Sequence, residues 1–343
     1  MAFVNLFRRI CLHVSCRCYC YRYFPCLEDP ARRSSLGLKL VLVILHLVYV
    51  GALFFFDKDL IDKTRREPWY TAFYVLLVIA TLIQYFITAC SSPGYVTDAM
   101  RAVSQTNSSS AKAAKQAASN KNGSIVVVAD DPLRRQLLVN NSDSWSKTVA
   151  DLYPLGTPTR NYICSYCNVE QPPRAKHCHD CNRCILKFDH HCTWLGTCIG
   201  YRNHCRFWWY ICEEAALCLW TTYLYISYLQ GNVSVSWWKS AIMIALLVFL
   251  LMSLIFLLLL LFFHSYLILT NQTTYELVRR RRISYLSHLP QRVFPFSRGM
   301  CRNLYYMCCG GAHYMERIPS QQELEERFRP YTCFDALTCR CCF

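Results

Sequence analysis

Between Cys164 and Phe207 the chain reads CSYCNVEQPPRAKHCHDCNRCILKFDHHCTWLGTCIGYRNHCRF, and cysteine and histidine recur there at metal-ligand spacing. Cys164 and Cys167 form one C-x-x-C; His177, Cys178, Cys181 and Cys184 follow, then Asp189, His190, His191, Cys192 and Cys198. Zinc takes four tetrahedral nitrogen or sulfur ligands, and a site closed by four protein ligands is structural. Two interleaved sets can be drawn. The first C-x-x-C pairs with His177 and a later cysteine, while Cys178 and Cys181 pair with another histidine and cysteine further on. The linking segments are short and carry Pro172 and Pro173, which leaves little apolar core. Metal must then supply much of the folding energy. Two such sites leave at least Asp189, one of His190 and His191, and one cysteine. Asp, His and Cys are the parts of an activated thiol: an orienting group, a base and a nucleophile. A neighbouring histidine and nearby zinc both favour the reactive thiolate. Spacing alone also allows a plainer reading, in which the leftovers pack on a structural knuckle.

Such a thiol needs elements to hold it, and the flanking sequence is built of long apolar runs. Of the 343 residues, 54% are hydrophobic, which is high for a soluble protein. Residues 38–56 carry no charge beyond Lys39 and are long enough to cross a bilayer as a helix. His46 within them is expected to pack between helices. Residues 69–90 form a second span, with Trp69 and Tyr70 suited to the membrane interface; Ser91-Ser92-Pro93-Gly94-Tyr95 then stops the helix. A third span, 207–229, opens on Phe207-Trp208-Trp209-Tyr210 and holds Glu213 and Glu214 in its first turns. Charge at mid-bilayer is costly, so these two are expected near the cytosolic end or facing a wet cavity. A leucine-rich fourth span covers 240–266.

The remaining segments are a basic, cysteine-rich stretch at 1–37, a charge-balanced loop at 57–68, a linker at 91–160, the cysteine-rich domain at 161–206, a loop at 230–239 that is uncharged from Gln230 to Trp237, and a polar segment at 267–343. The linker is dominated by Ser, Ala, Asn, Lys and Gln and reads as partly disordered. No signal-peptide pattern is present. The net charge is +15. With so much apolar sequence, that excess reads as the cytosolic-side charge of a membrane protein, not as a nucleic-acid footprint. Lysine and arginine concentrate before the first span, between the second and third, and after the fourth. Both termini and the cysteine cluster are therefore expected in the cytosol, with 57–68 and 230–239 in the lumen. The Asn107-Ser108-Ser109 sequon then escapes glycosylation. The run Arg279 to Arg282 is placed at the cytosolic headgroups. Eight of the 23 cysteines lie between Cys164 and Cys205, and the pattern suits a reducing compartment with zinc better than a disulfide framework. Cysteines in 1–37 can be lipidated beside the membrane or stand as plain thiols; Cys339, Cys341 and Cys342 make no prenylation box.

The series Cys164-x2-Cys167-x9-His177-Cys178-x2-Cys181-x2-Cys184-x4-Asp189-His190-His191-Cys192-x5-Cys198-x4-Asn203-x3-Phe207 resembles the cysteine-rich domain of DHHC protein S-acyltransferases (palmitoyltransferases) at every signature position. Thr273-Thr274-Tyr275-Glu276 resembles the family's T-T-x-E motif, and Phe296 through Asn303 its C-terminal motif. Ser92-Pro93-Gly94 resembles its D-P-G motif, with Ser92 in place of Asp. The resemblance covers roughly 38–310. It implies a polytopic all-α membrane protein with four transmembrane helices and a small cytosolic domain of short β-hairpins holding two zinc ions. One zinc would take Cys164, Cys167, His177 and Cys184, the other Cys178, Cys181, His191 and Cys198. Cys192 would be the nucleophile, His190 its general base, and Asp189 would orient His190. The reaction implied is two-step: Cys192 takes a fatty acyl group from acyl-CoA, then passes it to a cysteine of a membrane-associated substrate protein. The acyl chain would lie in a cavity between the spans, with Thr274 and Asn303 tying the C-terminal segment to the active-site region.

Lys187, Arg183 and Arg174 are candidates to meet the CoA phosphates, since an anion must be held beside the site. The expected setting is a Golgi or vacuolar endomembrane. Two rivals remain at this level. A silent adaptor using the zinc domain to hold partners is disfavoured by the intact Asp189-His190-His191-Cys192 set. A small channel or transporter is disfavoured by spans without Gly/Pro breaks and with few charges.

Overall fold

The computed structural model describes residues 36–105, 144–158, 161–232, 237–290, 293–309, 315–320 and 322–324. The long helices are α1 (Leu36–Phe56), α3 (Pro68–Cys90), α4 (His204–Asn232) and α5 (Trp237–Leu269). Among the described residues three helices, α1, α3 and α5, are long and apolar enough to cross a membrane. α4 matches them in length, but Arg206, Glu213 and Glu214 dilute its apolar character. α4 packs along both α5 and α3 and also touches α1. α3 shows how such a bundle is sorted. Its buried residues Thr71, Tyr74, Thr81, Tyr85 and Thr88 recur at helical spacing, while Phe73, Leu76, Ile83 and Phe86 are exposed. Small and hydrogen-bonding groups face the neighbours and the apolar side chains face outward, the sorting that lipid solvation imposes. Tyr74 Oη and Thr221 Oγ1 lie 3.0 Å apart, and Tyr85 Oη donates to the Trp194 carbonyl at 2.8 Å.

Segment 57–68, expected as a loop, contains a helix, α2 (Lys58–Arg66). Its signals are local. Asp57 caps it by accepting from the Leu60 N–H at 2.9 Å, and Lys63, Arg65 and Arg66 sit in the last turn, where they complement the helix dipole. Reading the charges as merely balanced missed their order along the segment. Pro68 then starts α3, a position where its missing N–H costs nothing. α4 begins three residues before the expected start and α5 also extends past its expected ends, so the loop of 230–239 shrinks; residues 233–236 lie outside the described ones. So do the cysteines of 1–35, the Asn107 sequon and the terminal Cys339, Cys341 and Cys342. Within the expected linker, 96–105 and 144–150 are helical. Their apolar faces, Val96 and Ala99 with Trp145 and Val149, pack on Tyr162, Cys164, Cys184 and Leu186 of the cysteine-rich domain.

That domain consists of three two-stranded antiparallel hairpins: β1 (Ile163–Cys164) with β2 (Val169–Glu170), β3 (Lys176–Cys178) with β4 (Arg183–Ile185), and β5 (His190–Cys192) with β6 (Thr197–Ile199). Asn168, Asn182 and Gly196 supply the left-handed residues of the turns, with φ of 50°, 49° and 65°. Gly200 is required for another reason. A Cβ there would stand 2.6 Å from Ile185 Cγ2 and 2.8 Å from the Pro93 carbonyl oxygen. The chain after α3 thus threads tightly against the domain. The Gly94 carbonyl accepts from Leu186 N–H and the Pro93 carbonyl from Arg202 N–H, at 2.9 and 3.1 Å. Ser92 Oγ accepts from Gly94 N–H at 3.2 Å, the side-chain turn an aspartate would also form.

Candidate active site

The hairpins place the sulfur and nitrogen ligands by register. His177 stands opposite Cys184, and His191 opposite Cys198. Cys164, Cys167, His177 and Cys184 form one group, Cys178, Cys181, His191 and Cys198 a second, with ligand atoms within 4.8 Å of one another in each. A tetrahedral zinc with ordinary bond lengths sets its ligand atoms about 3.6–3.8 Å apart. In the first group His177 Nδ1 lies 3.2 Å from Cys167 Sγ and 3.9 Å from Cys184 Sγ. In the second, His191 Nδ1 lies 3.5 Å from both Cys181 Sγ and Cys198 Sγ and 3.7 Å from Cys178 Sγ. Both donor sets suit zinc in chemistry and spacing. Bound there, the metal would fix three hairpins that have almost no apolar core of their own.

The ligand groups leave out Asp189, His190 and Cys192, and the structure brings these three together. Asp189 precedes β5 and is 1% exposed. Its Oδ2 accepts from His190 Nδ1 at 2.6 Å and from Thr274 Oγ1 at 2.8 Å; its Oδ1 accepts from the Thr274 N–H at 2.7 Å. Holding Nδ1–H in this way leaves Nε2 of His190 as the proton acceptor. Burial opposes ionisation of Asp189, but the His190 hydrogen bond and the surrounding histidines hold it well below the usual carboxylate range. Burial disfavours a charged His190, yet the Asp189 hydrogen bond and the Cys192 sulfur outweigh it and raise the ring to about 9. A ring that basic favours the ion pair in which His190 holds the proton and Cys192 is the thiolate.

Thr274 comes from α6 (Thr274–Arg279), which follows α5. Thr273 and Glu276 form its capping box: the Glu276 N–H donates to Thr273 Oγ1 at 3.1 Å, and the Thr273 N–H to Glu276 Oε2 at 3.0 Å. Asn303, on α7 (Met300–Cys308), donates to the Leu269 carbonyl at 2.7 Å and accepts from Arg298 N–H at 2.9 Å, pinning the C-terminal segment to the end of α5. In the arginine run, Arg280 is buried and donates to the Pro290 and Val293 carbonyls at 2.8 and 2.7 Å, while Arg279, Arg281 and Arg282 are exposed.

Cys192 and His190 open onto a cavity of about 640 Å³ among α1, α3, α4 and α5, floored by side chains such as Leu195, Phe207, Ile211 and Leu257. Its size falls within the range of ligand pockets, and its lining is mostly apolar. His46 and Glu214 interrupt that lining. His46 Nε2 meets Glu214 Oε1 at 3.2 Å and its Nδ1 meets the Leu42 carbonyl at 2.9 Å. The sequence marked both residues as unusual without pairing them.

The three expected phosphate contacts separate. Arg174 is buried and ion-paired to Glu276 and Glu316, with its guanidinium over the Phe296 ring. This is a structural pairing in place of the phosphate contact suggested by sequence. Its partners lie 102 and 142 residues away, beyond any local signal. Lys187 Nζ donates to Asn271 Oδ1 at 2.8 Å, and burial with Arg174 nearby lowers it to about 8. Arg174, Lys187 and Asn271 all have positive φ, a strained backbone that this network holds in place. Arg183 is exposed, resting on the Tyr95 ring. Sequence reasoning passed over His204 and His264, both buried beside Asp189.

Comparison with known proteins agrees with this site. The DHHC palmitoyltransferase family model matches residues 157–281. Protein S-acyltransferase 10 of Arabidopsis thaliana is 58% identical over 329 residues, 94% of this chain and 95% of the relative. A putative ZDHHC-type palmitoyltransferase 7 of Dictyostelium discoideum is 37% identical over 149 residues, 42% of this chain and 34% of its own length. Palmitoyltransferase ZDHHC12 of Homo sapiens is 33% identical over 161 residues, 46% of this chain and 59% of its own length. The likeness to the Arabidopsis protein runs through the apolar helices as well as the cysteine-rich hairpins, and the chain belongs to the DHHC palmitoyltransferase family, as a membrane-bound protein S-acyltransferase.

Proposed function

We propose that Cys192 carries the acyl group, that His190 moves its proton and that Asp189 orients and polarises His190. The observation that supports this reading is the hydrogen-bonded line from Thr274 through Asp189 to His190, whose ring shares the lining of an apolar cavity with Cys192. In the first step His190 Nε2 takes the Cys192 proton and the thiolate attacks the acyl-CoA thioester carbonyl. The carbon–sulfur bond to CoA breaks, and the CoA thiol leaves with the proton from His190. In the second step a substrate cysteine thiolate, deprotonated by His190, attacks the Cys192 thioester, and the Cys192 thiol is restored. The acyl chain lies in the cavity, dry and apolar as a fatty chain requires. Of the three cations weighed, Arg183 is free to meet CoA phosphates. Each four-ligand group holds one structural zinc. α4 spans the membrane with α1, α3 and α5, its Glu214 turned into the cavity, and both termini and the hairpins face the cytosol, as the lysine and arginine bias indicates. The test is mass spectrometry of the Cys192 peptide after incubation with mixed acyl-CoAs. A hydroxylamine-sensitive acyl group on Cys192 is expected, lost in Cys192→Ser with zinc content intact. Continued self-acylation of Cys192→Ser would place the nucleophile elsewhere.

A further inference from the structure

The surroundings of Asp189 are incomplete. A carboxylate offers about four lone-pair sites. Asp189 fills two on Oδ2, with His190 Nδ1 and Thr274 Oγ1, and one on Oδ1, with the Thr274 N–H. Among the described residues one site on Oδ1 has no partner, in a group that is 1% exposed. Beside it stand His204, at the start of α4, and His264, near the end of α5, 6% and 2% exposed. A ring nitrogen of each and an Asp189 oxygen lie within 4.8 Å of one another. Each histidine also has a buried ring nitrogen, Nε2 of His204 and Nδ1 of His264, with no hydrogen-bond partner among the described residues. Buried polar atoms are seldom left so, because each costs the desolvation it underwent.

We propose that His204 and His264 hold an ordered water against Asp189, and that they are positioning residues for the His190 base. The inference rests on the roles proposed above for Asp189 and His190. Three atoms no more than 4.8 Å apart share a point within about 2.8 Å of all of them, a hydrogen-bond length for water. A buried water with two to four polar partners is an ordinary part of a protein interior. Water donates and accepts, so it serves either histidine in either neutral tautomer. A divalent cation is disfavoured because Asp189 already accepts three hydrogen bonds, from His190 and twice from Thr274, which leaves its carboxylate little room as a metal ligand. The His264 ring also lies 5.7 Å, centroid to centroid, from His190. The water would therefore add a further hold on the Asp189 carboxylate and couple the aim of His190 to the packing of α4 on α5.

The test uses full-length protein in detergent and single-turnover self-acylation from palmitoyl-CoA, with zinc content measured on every sample. His264→Phe keeps the shape and removes the polar atoms; His264→Asn keeps a polar atom near Nδ1. We expect His264→Phe to slow self-acylation about tenfold, the loss of one hydrogen bond to a charged group, and His264→Asn to restore most of the rate. Zinc content stays that of the wild type. His204→Leu and His204→Gln form the matching pair and decide the matter if His264→Phe does not retain its zinc. A Phe or Leu variant as fast as the wild type overturns the proposal, as does an Asn or Gln variant no faster than its apolar counterpart. Metal beyond that of the two cysteine–histidine groups, lost in His264→Phe, overturns the water in favour of an ion. Cys192→Ser in the same assay separates these outcomes from a failure of the underlying reading: if it still self-acylates, the nucleophile is misplaced whatever the histidines do.

Discussion

Replacing Arg174 distinguishes a structural arginine from a phosphate-binding one. The guanidinium has five donors, and all five are used. Nε and one Nη2 hydrogen meet the two Glu276 oxygens at 2.8 Å each; the other Nη2 hydrogen meets the Asn271 carbonyl at 2.9 Å; Nη1 serves Asn271 Oδ1 at 3.1 Å and Glu316 Oε2. No donor remains for an incoming phosphate. Arg174→Met would strand two carboxylates whose side chains are 3% and 11% exposed. Removing one partner of a buried ion pair costs about 3–5 kcal/mol, and Glu316, held down to about 2 chiefly against the effect of burial by Arg174 and Lys187, would rise. We expect Arg174→Met to lower the unfolding temperature by several degrees and to reduce the yield of zinc-loaded protein. Arg174→Lys keeps the charge but not the fork, and should fall between. The assay is thermal unfolding in detergent, together with KM for palmitoyl-CoA on the fraction that stays folded. A normally stable Arg174→Met protein whose KM for acyl-CoA rises tenfold would refute the structural assignment.

Thr274→Val removes the hydroxyl bond to Asp189 but keeps the backbone one. A hydrogen bond to a charged group is worth about 1.5–3 kcal/mol, and because the second tether survives we expect the lower end, about a tenfold slower single-turnover acylation, with Thr274→Ser near the wild type. Stripping metal with a strong chelator should unfold the hairpins and abolish self-acylation; restored zinc, but not magnesium, should recover both, read by circular dichroism and acyl labelling. Gly200→Ala should cost about 1–3 kcal/mol of stability by thermal unfolding. Ile185→Leu should not rescue it, because the Pro93 and Leu186 carbonyls that also crowd the new Cβ, at 2.8 and 2.9 Å, are backbone.

The parts of this molecule that could be read from sequence are those fixed by short-range geometry. Cys178, Cys181, His191 and Cys198 sit on strands and turns of adjacent hairpins; spacing put Cys178 and Cys181 in one set with a later histidine and cysteine, and the family resemblance named which. The apolar runs declare their helices for the same reason. What spacing could not show are the contacts across long stretches of chain. Thr274 reaches Asp189 over 85 residues, and only family resemblance pointed to it. Arg174 looked like a surface cation in a basic domain because its carboxylates lie far down the chain. His204 and His264 were invisible because each sits on a different helix and meaning comes only from their meeting at Asp189. α2 was missed differently: its cap and last-turn cations were present in order, but were counted instead of placed.

Those long-range contacts share one location, and this bears on how the site works. Thr274 holds Asp189, Glu276 holds Arg174, Asn271 holds Lys187 and Asn303 holds the end of α5. All four grips come from the chain after the C-terminal end of α5, and three of them close on the segment between Arg174 and Asp189. The hairpins also meet the bundle through an apolar cluster in which Leu195 and Ile199 pack with Tyr85, Ala89, Phe207 and Ile211. To that contact the segment after α5 adds polar, directional attachments, and a polar attachment specifies orientation more sharply than an apolar one. For a thiol that must meet a thioester at the mouth of an apolar cavity, orientation is the quantity that matters, since a misplacement of about 1 Å costs about a hundredfold in rate. The segment after α5 thus bears on how the proposed Asp189-His190 pair is held, although it contributes no reacting atom.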